Sequence, residues 1–300
     1  MIEAIGVSKF YGPFAAARDV TFSVGEGELV AFLGPNGAGK STTMKMLTGY
    51  IAASEGEARI AGHNMMEDRI EGSRLLGYLP ENGPLYPEMT PASMLDFFAE
   101  ARGMTKAKKK DRIEAVVEIC DLSTVMYKPI SKLSKGFKQR VGMSQALLHE
   151  PDVLIMDEPS SGLDPLVQRE FQTMMREVAS DGRTVFLSSH TLSEVQRVAD
   201  RVGVIRHGQL IAVEGVADLR SKAIRTVNLF FDETVDGAAL ENLPGVREVK
   251  VDNHHVTLSF DGQMETLLKV VTQRYSLLDI TTHEANLEEI FLTYYEDAGA

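Results

Sequence analysis

Eight consecutive residues, Gly34-Pro35-Asn36-Gly37-Ala38-Gly39-Lys40-Ser41, constrain this chain more than any other stretch. Two glycines five apart, followed by a lysine and a hydroxyl residue, form the pattern of a phosphate-binding loop. The flanks agree with it. Leu29 to Leu33 is a short unbroken apolar run, as a parallel strand covered on both faces requires, and Ser41 to Leu47 read as a helix stopped at Gly49. A phosphate chain is wrapped by inward backbone N–H groups, which demands the special backbone of Gly37 and Gly39 and gains from the helix N-terminus below. Lys40 then supplies a charge for β- and γ-phosphates and Ser41 a hydroxyl ligand for Mg²⁺. A glycine-rich turn that binds nothing has no need of lysine and serine at these offsets.

With 44% hydrophobic and 25% charged residues among 300, the composition is that of an ordinary folded chain with room for one large and one small domain. The single cysteine, Cys120, excludes an internal disulfide and suits a reducing compartment. No apolar run reaches the roughly 18 residues that span a bilayer, and Met1-Ile2-Glu3-Ala4 does not resemble a signal peptide, so membrane crossing is expected of another chain. A net charge of −12 argues against nucleic-acid binding. From Arg225 onward there are 14 Asp and Glu against 5 Lys and Arg, which marks a separate C-terminal unit.

Residues 1 to about 33 alternate apolar and polar residues around turns at Gly12-Pro13 and Gly25-Glu26-Gly27, predicting a small antiparallel sheet. Ala58 to Gly62 and Leu75 to Leu79 read as strands. Residues 82 to about 150 turn helical at Ala92–Ala101, Lys106–Cys120 and Lys138–His149, after a link containing Pro84 and Pro87. The basic run Lys106 to Lys110 lacks interleaved aromatics and reads as a solvated helix start. Beyond Arg225 the order is β-α-β-β-α-β: strands at 227–231, 246–252, 255–260 and 277–282, with helices at 237–243 and 264–275, a ferredoxin-like order. A final helix is expected from Asn286 to about Glu296.

Val153 to Met156 is an apolar run ending in Asp157-Glu158, and Val185 to Leu187 is another ending in Ser188-Ser189-His190. Ionisable groups at the C-terminal ends of parallel strands stand where such sheets bind ligands. Next to a phosphate-binding loop, one carboxylate suits the Mg²⁺ shell and its neighbour the activation of an attacking water. Tyr11, a short strand ahead of the loop, is a candidate to stack on a base or a half-buried sheet tyrosine.

With these residues in place, Leu133-Ser134-Lys135-Gly136-Phe137-Lys138-Gln139-Arg140 is similar to the Leu-Ser-Gly-Gly-Gln signature of ABC transporter ATP-binding subunits, continued by Gln-Arg. It departs at Lys135 and Phe137 and keeps Ser134 and Gly136. The resemblance covers residues 1 to about 220. It implies an α/β P-loop NTPase fold of the ABC type, with an N-terminal antiparallel β subdomain and a helical insertion at about 82–150, and a domain boundary between 220 and 225. The small C-terminal ferredoxin-like α+β domain, with Leu287-Glu288-Glu289-Ile290-Phe291-Leu292 near its end, looks like the extension of subunits paired with ABC-2-type export permeases.

The same resemblance assigns roles. Gly34, Asn36, Gly37, Ala38, Gly39, Lys40, Ser41 and Thr42 hold the nucleotide and Tyr11 stacks on its base. Ser41, Glu81 and Asp157 surround Mg²⁺, Glu81 standing where the family usually has glutamine. Glu158 is the base, His190 the switch histidine, and Lys40 the phosphate cation. Ser134 and Gly136 touch a partner's ATP in a head-to-tail sandwich, formed with a second copy or a paralogous subunit, and Ser161-Gly162-Leu163-Asp164 is the loop that crosses its interface, Asp164 at the nucleotide. The implied activity is hydrolysis of ATP to ADP and phosphate, powering export through a separate polytopic permease from the cytoplasmic face of the membrane. Two other classes compete: an ABC ATPase acting on ribosomes or DNA, and a nucleotide-dependent regulatory module. A single P-loop and no sustained heptads weigh against the first, and the intact Asp157, Glu158 and His190 against the second.

Overall fold

The computed structural model describes residues 1–83, 85–222 and 225–283. Contacts divide the chain into two units, Met1–Glu214 and Gly215–Ala300. The division falls earlier than the boundary expected between 220 and 225, because the onset of a strand at Arg225 is easier to see in sequence than the helix before it.

The first unit opens with a long hairpin, β1 (Ile2–Tyr11) and β2 (Phe14–Val24), followed by β3 (Leu29–Leu33) and α1 (Lys40–Leu47). After β4 (Glu55–Ile60), β5 (His63–Asn64), α2 (Arg69–Arg74) and β6 (Leu76–Leu79) comes the helical stretch: α3 (Pro91–Ala101), α4 (Lys106–Ile119) and α5 (Lys135–Leu147). Thr90, Thr105 and Ser134 cap these three helices by accepting a backbone N–H, which is why each starts where it does. Then follow β7 (Val153–Met156), α6 (Pro165–Ser180), β8 (Thr184–Ser189), α7 (Leu192–Val198), β9 (Arg201–Arg206) and β10 (Gln209–Gly215).

Two sheets result. The antiparallel sheet, in the order β2-β1-β4-β5, recruits β4 and β5 from beyond the phosphate loop, so it is larger than the N-terminal alternation implies. The second sheet runs β10-β9-β3-β8-β7-β6, with β9, β3, β8, β7 and β6 mutually parallel. Every residue of β3, β7 and β8 is buried, as expected of central strands covered on both faces. Phe22 of the first sheet meets Phe32 and Phe186 of the second at centroid distances of 4.8 and 5.1 Å, and this aromatic knot sits inside the core shared by the sheets. The parallel register brings the ends of β3, β7 and β8 to one edge, where the phosphate loop, Asp157-Glu158 and His190 emerge.

The second unit contains α8 (Val216–Lys222), β11 (Arg225–Phe231), α9 (Ala238–Glu241), β12 (Val246–Asp252), β13 (His255–Phe260), α10 (Met264–Arg274) and β14 (Leu277–His283). Its antiparallel sheet, ordered β12-β13-β11-β14, with a helix after β11 and another after β13, is ferredoxin-like. Period-2 burial explains it: Val227, Leu229 and Phe231 on β11, with Val256, Leu258 and Phe260 on β13, face a core with Leu267 and Val271. The helix expected from Asn286, the Leu287–Leu292 motif and Pro84 lie outside the described residues.

Candidate functional site: a phosphate-binding cavity

The loop 34–39 leaves β3 and enters α1 through backbone that only glycine adopts comfortably. Gly37 has φ 81° and Gly39, the N-cap of α1, φ 104°; a Cβ at Gly39 would lie 2.6 Å from the Ala16 carbonyl oxygen. Lys40 is 5% exposed and its ammonium is turned back over the loop. It donates to the Gly34 carbonyl at 2.7 Å and the Pro35 carbonyl at 3.2 Å, and its Nζ lies 3.1 Å from Glu158 Oε1. That last contact is an ion pair without hydrogen-bond alignment, which leaves Oε1 buried and free to accept another proton donor.

Glu158 is 7% exposed and follows β7 with φ 48°, a left-handed conformation costing a non-glycine residue about 1–3 kcal/mol. Its backbone N–H donates to Ser188 Oγ at 2.9 Å, and its Oε2 accepts from His190 Nδ1 at 2.7 Å. The carboxylate is thus held between a lysine and a histidine. Asp157, 2% exposed, accepts at Oδ1 from the Ser188 hydroxyl at 2.7 Å and from the Ser41 hydroxyl at 3.1 Å. Ser41 and Asp157 therefore offer adjoining hard oxygen donors, which suit Mg²⁺. Among the described residues no three His, Cys, Asp or Glu side chains converge as a metal site. An ion that keeps waters and takes phosphate oxygens needs only one or two protein ligands.

A cavity of about 450 Å³ opens over the loop, and Asn36, Gly37, Ala38, Gly39, Lys40, Ser41 and Thr42 form its floor. Glu81, Glu158 and His190 also line it, with Phe14, Ala16 and Ser161. Gly34 lies beneath, tight against the Ile205 backbone. Four expected site residues are not brought here. Tyr11 does not line the cavity; it is 54% exposed beneath the Lys9 ammonium, and its cross-strand neighbour Phe14 lines the cavity instead. Ser134 and Asp164 are N-caps of α5 and α6, accepting from Phe137 N at 3.3 Å and Val167 N at 3.1 Å. Gly136 packs against Val167, and the Lys135 ammonium against Gly162, so the 133–140 segment and the 161–164 loop abut within the chain.

Sequence reasoning missed Phe14, Ala16 and the role of Ser188, and it placed Ser161 in the interface loop without its place on this cavity. Phe14 was findable as the cross-strand partner of Tyr11 one turn later. Ser188 carried no signal beyond its place beside His190.

Beside this site, a larger groove of about 830 Å³ shares Ser41 and Glu81 with the first cavity. Its walls include the exposed Tyr50 and Ile70 and the cationic Arg69 and Arg102. Tyr78 also lines it; its hydroxyl is buried without a partner, and burial raises its pKa, with the Asp157 charge adding to the effect.

A glycine-built anion cradle at the C-terminal edge of a parallel sheet, with lysine, hydroxyl and paired carboxylates converging on it, defines a P-loop nucleoside triphosphatase. The family described as "ABC transporter" matches residues 17–161. The linearmycin resistance ATP-binding protein LnrL of Bacillus subtilis (strain 168) is 32% identical over 306 residues, covering 97% of each chain. The bacitracin transport ATP-binding protein BcrA of Bacillus licheniformis is 31% identical over 297 residues, covering 97% of this chain and 96% of that one. A solved ATP-binding subunit of an ABC transporter superposes with a TM-score of 0.67 at 33% identity, over 73% of this chain and 92% of that one. The chain belongs to the ABC transporter ATP-binding proteins, and its activity is that of an ATPase subunit powering transport.

Proposed function

We propose that Glu158 is the general base of this ATPase and that the chain's own cavity is half of a composite site. The observation that carries the reading is the buried Glu158 carboxylate held 3.1 Å from Lys40 Nζ and 2.7 Å from His190 Nδ1, beside a glycine-built cradle. ATP lies with its phosphates on the loop N–H groups and on Lys40. Glu158 takes a proton from the attacking water, whose oxygen bonds the γ-phosphorus as the bond to the bridging oxygen breaks with its electron pair going to ADP, and ADP and phosphate leave. Ser41 and Asp157, with Glu81 beside them, would hold Mg²⁺, which would supply positive charge against the developing negative charge of the transferring phosphoryl group. His190 orients Glu158.

Ser134, Gly136 and Asp164 stand away from this cavity while remaining next to one another through the Gly136–Val167 and Lys135–Gly162 contacts. That separation supports a head-to-tail sandwich in which one subunit's 134–136 segment and Asp164 complete the partner's site, while Ser161 lines the chain's own cavity. The partner is a second copy or a paralogous subunit.

Transport is read as export through a separate ABC-2-type permease, with this chain peripheral on the inner membrane face. The relatives named for linearmycin resistance and bacitracin transport support this, and no helix among the described residues is long and apolar enough to cross a membrane. The groove of apolar and cationic side chains beside Glu81 is the face offered to the permease. No nucleic-acid partner is part of this reading. ATP turnover with and without permease-containing membranes tests it: stimulation by the permease is expected, and turnover indifferent to every membrane fraction contradicts the transport role.

A further inference from the structure

Glu194, on α7, ties together segments far apart in sequence. Its Oε2 accepts from the Ser160 hydroxyl at 3.0 Å and the Ser189 hydroxyl at 2.7 Å, and its Oε1 accepts from Gln168 Nε2. Ser160 and Ser189 are 4% and 1% exposed, so neither hydroxyl has water as an alternative. The proton of Ser189 has a second acceptor, the Thr191 carbonyl, but at 3.3 Å against 2.7 Å the carboxylate is the better one. The oxygen of Ser189 in turn accepts from Thr191 N at 2.9 Å.

Ser160 lies two residues after Glu158, and Ser189 immediately before His190. The two segments joined on the cavity side by the 2.7 Å bond between His190 and Glu158 are therefore joined again, through Glu194. Gln168 extends the network to the first turns of α6, whose N-cap is Asp164 at the end of the 161–164 loop. A carboxylate is suited to this place because it only accepts: two hydroxyls and an amide all donate into it. Networks of this kind hold their members in one geometry, and a misplacement of about 1 Å can cost a catalytic group about 100-fold in rate.

We propose that Glu194 is a positioning residue for ATP hydrolysis, holding the Glu158–His190 pair in working geometry and tying it to the 161–164 loop; this rests on Glu158 being the base. Glu194 reaches neither the cavity nor the substrate, so its loss acts on kcat and not on ATP affinity.

The test is an exchange across the Gln168–Glu194 contact, reading kcat, KM and ATP affinity for the full chain. Glu194→Ala is expected to lower kcat about tenfold or more, with ATP affinity within about twofold of wild type. Glu194→Gln keeps most activity, since its oxygen still serves the serines while Gln168 turns its amide to accept. Gln168→Glu sets two carboxylates against each other and lowers kcat about tenfold. Adding Glu194→Gln to Gln168→Glu restores kcat to within about twofold of Glu194→Gln alone, a reversal that general loss of stability does not produce. A Glu194→Ala variant with kcat within twofold of wild type overturns the proposal, as does a double exchange no faster than Gln168→Glu. Should Glu194→Ala fail to fold, the exchange pair decides. Glu158→Gln is run beside them: if it turns over ATP normally, the assignment of the base fails, and the exchange series still reports whether the network governs kcat.

Discussion

Lys40 Nζ lies 3.1 Å from Glu158 Oε1 while donating to two carbonyl oxygens of its own loop, so one cation serves the phosphate cradle and the candidate base together. Both side chains are below one-tenth exposed, and the attraction acts with little screening by water. An arriving γ-phosphate competes with Glu158 for Lys40, and a carboxylate released from its cation is the better proton acceptor. Lys40→Ala is therefore expected to remove the main protein cation for the phosphates and weaken ATP binding about tenfold or more. Calorimetric titration of ATP into the variant checks this; affinity within twofold of wild type means Lys40 serves Glu158 alone.

The aromatic ring that lines the cavity is Phe14, itself exposed. Phe14→Ala is expected to weaken ATP binding about fivefold, the equivalent of about 1 kcal/mol of ring contact, and Tyr11→Ala to change it less. Competition titration with a fluorescent ATP analogue ranks the two. A larger loss from Tyr11→Ala restores Tyr11 as the stacking residue.

Glu81 lines the cavity together with Ser41 and Glu158, so a further negative charge faces incoming phosphates unless a cation is bound. The chain is thus expected to bind ATP more metal-dependently than a Glu81→Gln variant, by about tenfold in affinity without metal, or about 1–2 kcal/mol. The variant still hydrolyses ATP. Titrations with EDTA and with excess Mg²⁺ give the two ratios; equal ratios show that Glu81 does not face the metal.

What the sequence made legible was whatever rests on short local patterns. The phosphate loop needs glycine at Gly37 and Gly39 for backbone reasons, and continuous apolar runs betrayed β3, β7 and β8 because both their faces are covered. The C-terminal β-α-β-β-α-β order was legible from period-2 alternation on β11 and β13. Partnerships closed by tertiary folding were not. Nothing local in Ser188 announces a bond to Asp157 31 positions away, and Glu194 gathers donors from three other segments. That Phe14, the cross-strand neighbour of Tyr11, lines the cavity depends on the hairpin register, which is set by the turn between them and not by local pattern.

His149, after α5, donates from Nε2 to the Leu76 carbonyl at 3.0 Å, and its Nδ1 is buried without a partner. Burial, aided by the nearby Arg102 charge, pushes its pKa down to about 4. The unfolded chain takes up this proton near pH 6.5 and the folded chain only near 4. The contribution is therefore fully present above about pH 6.5 and is lost as pH falls toward 4, by at most about 1.4 kcal/mol per pH unit. Denaturant unfolding between pH 7 and 4.5 is expected to show a shallower acid decline for His149→Leu than for wild type; parallel declines contradict the assignment.

If the sandwich forms, Lys40→Ala and Ser134→Arg lesions fall on opposite halves of a site. Each variant alone is expected to be inactive, and their mixture to regain part of the wild-type rate through dimers that keep one intact composite site. A mixture as inactive as its components contradicts a shared site.

The central claim is that Glu158 activates the water. An amide at this position keeps the size and the contact with His190 but cannot accept the proton. Single-turnover hydrolysis of labelled ATP by Glu158→Gln is expected to slow by about 100-fold or more while ATP binding stays within a few-fold of wild type and ATP-bound dimers accumulate. Hydrolysis within a few-fold of the wild-type rate contradicts it.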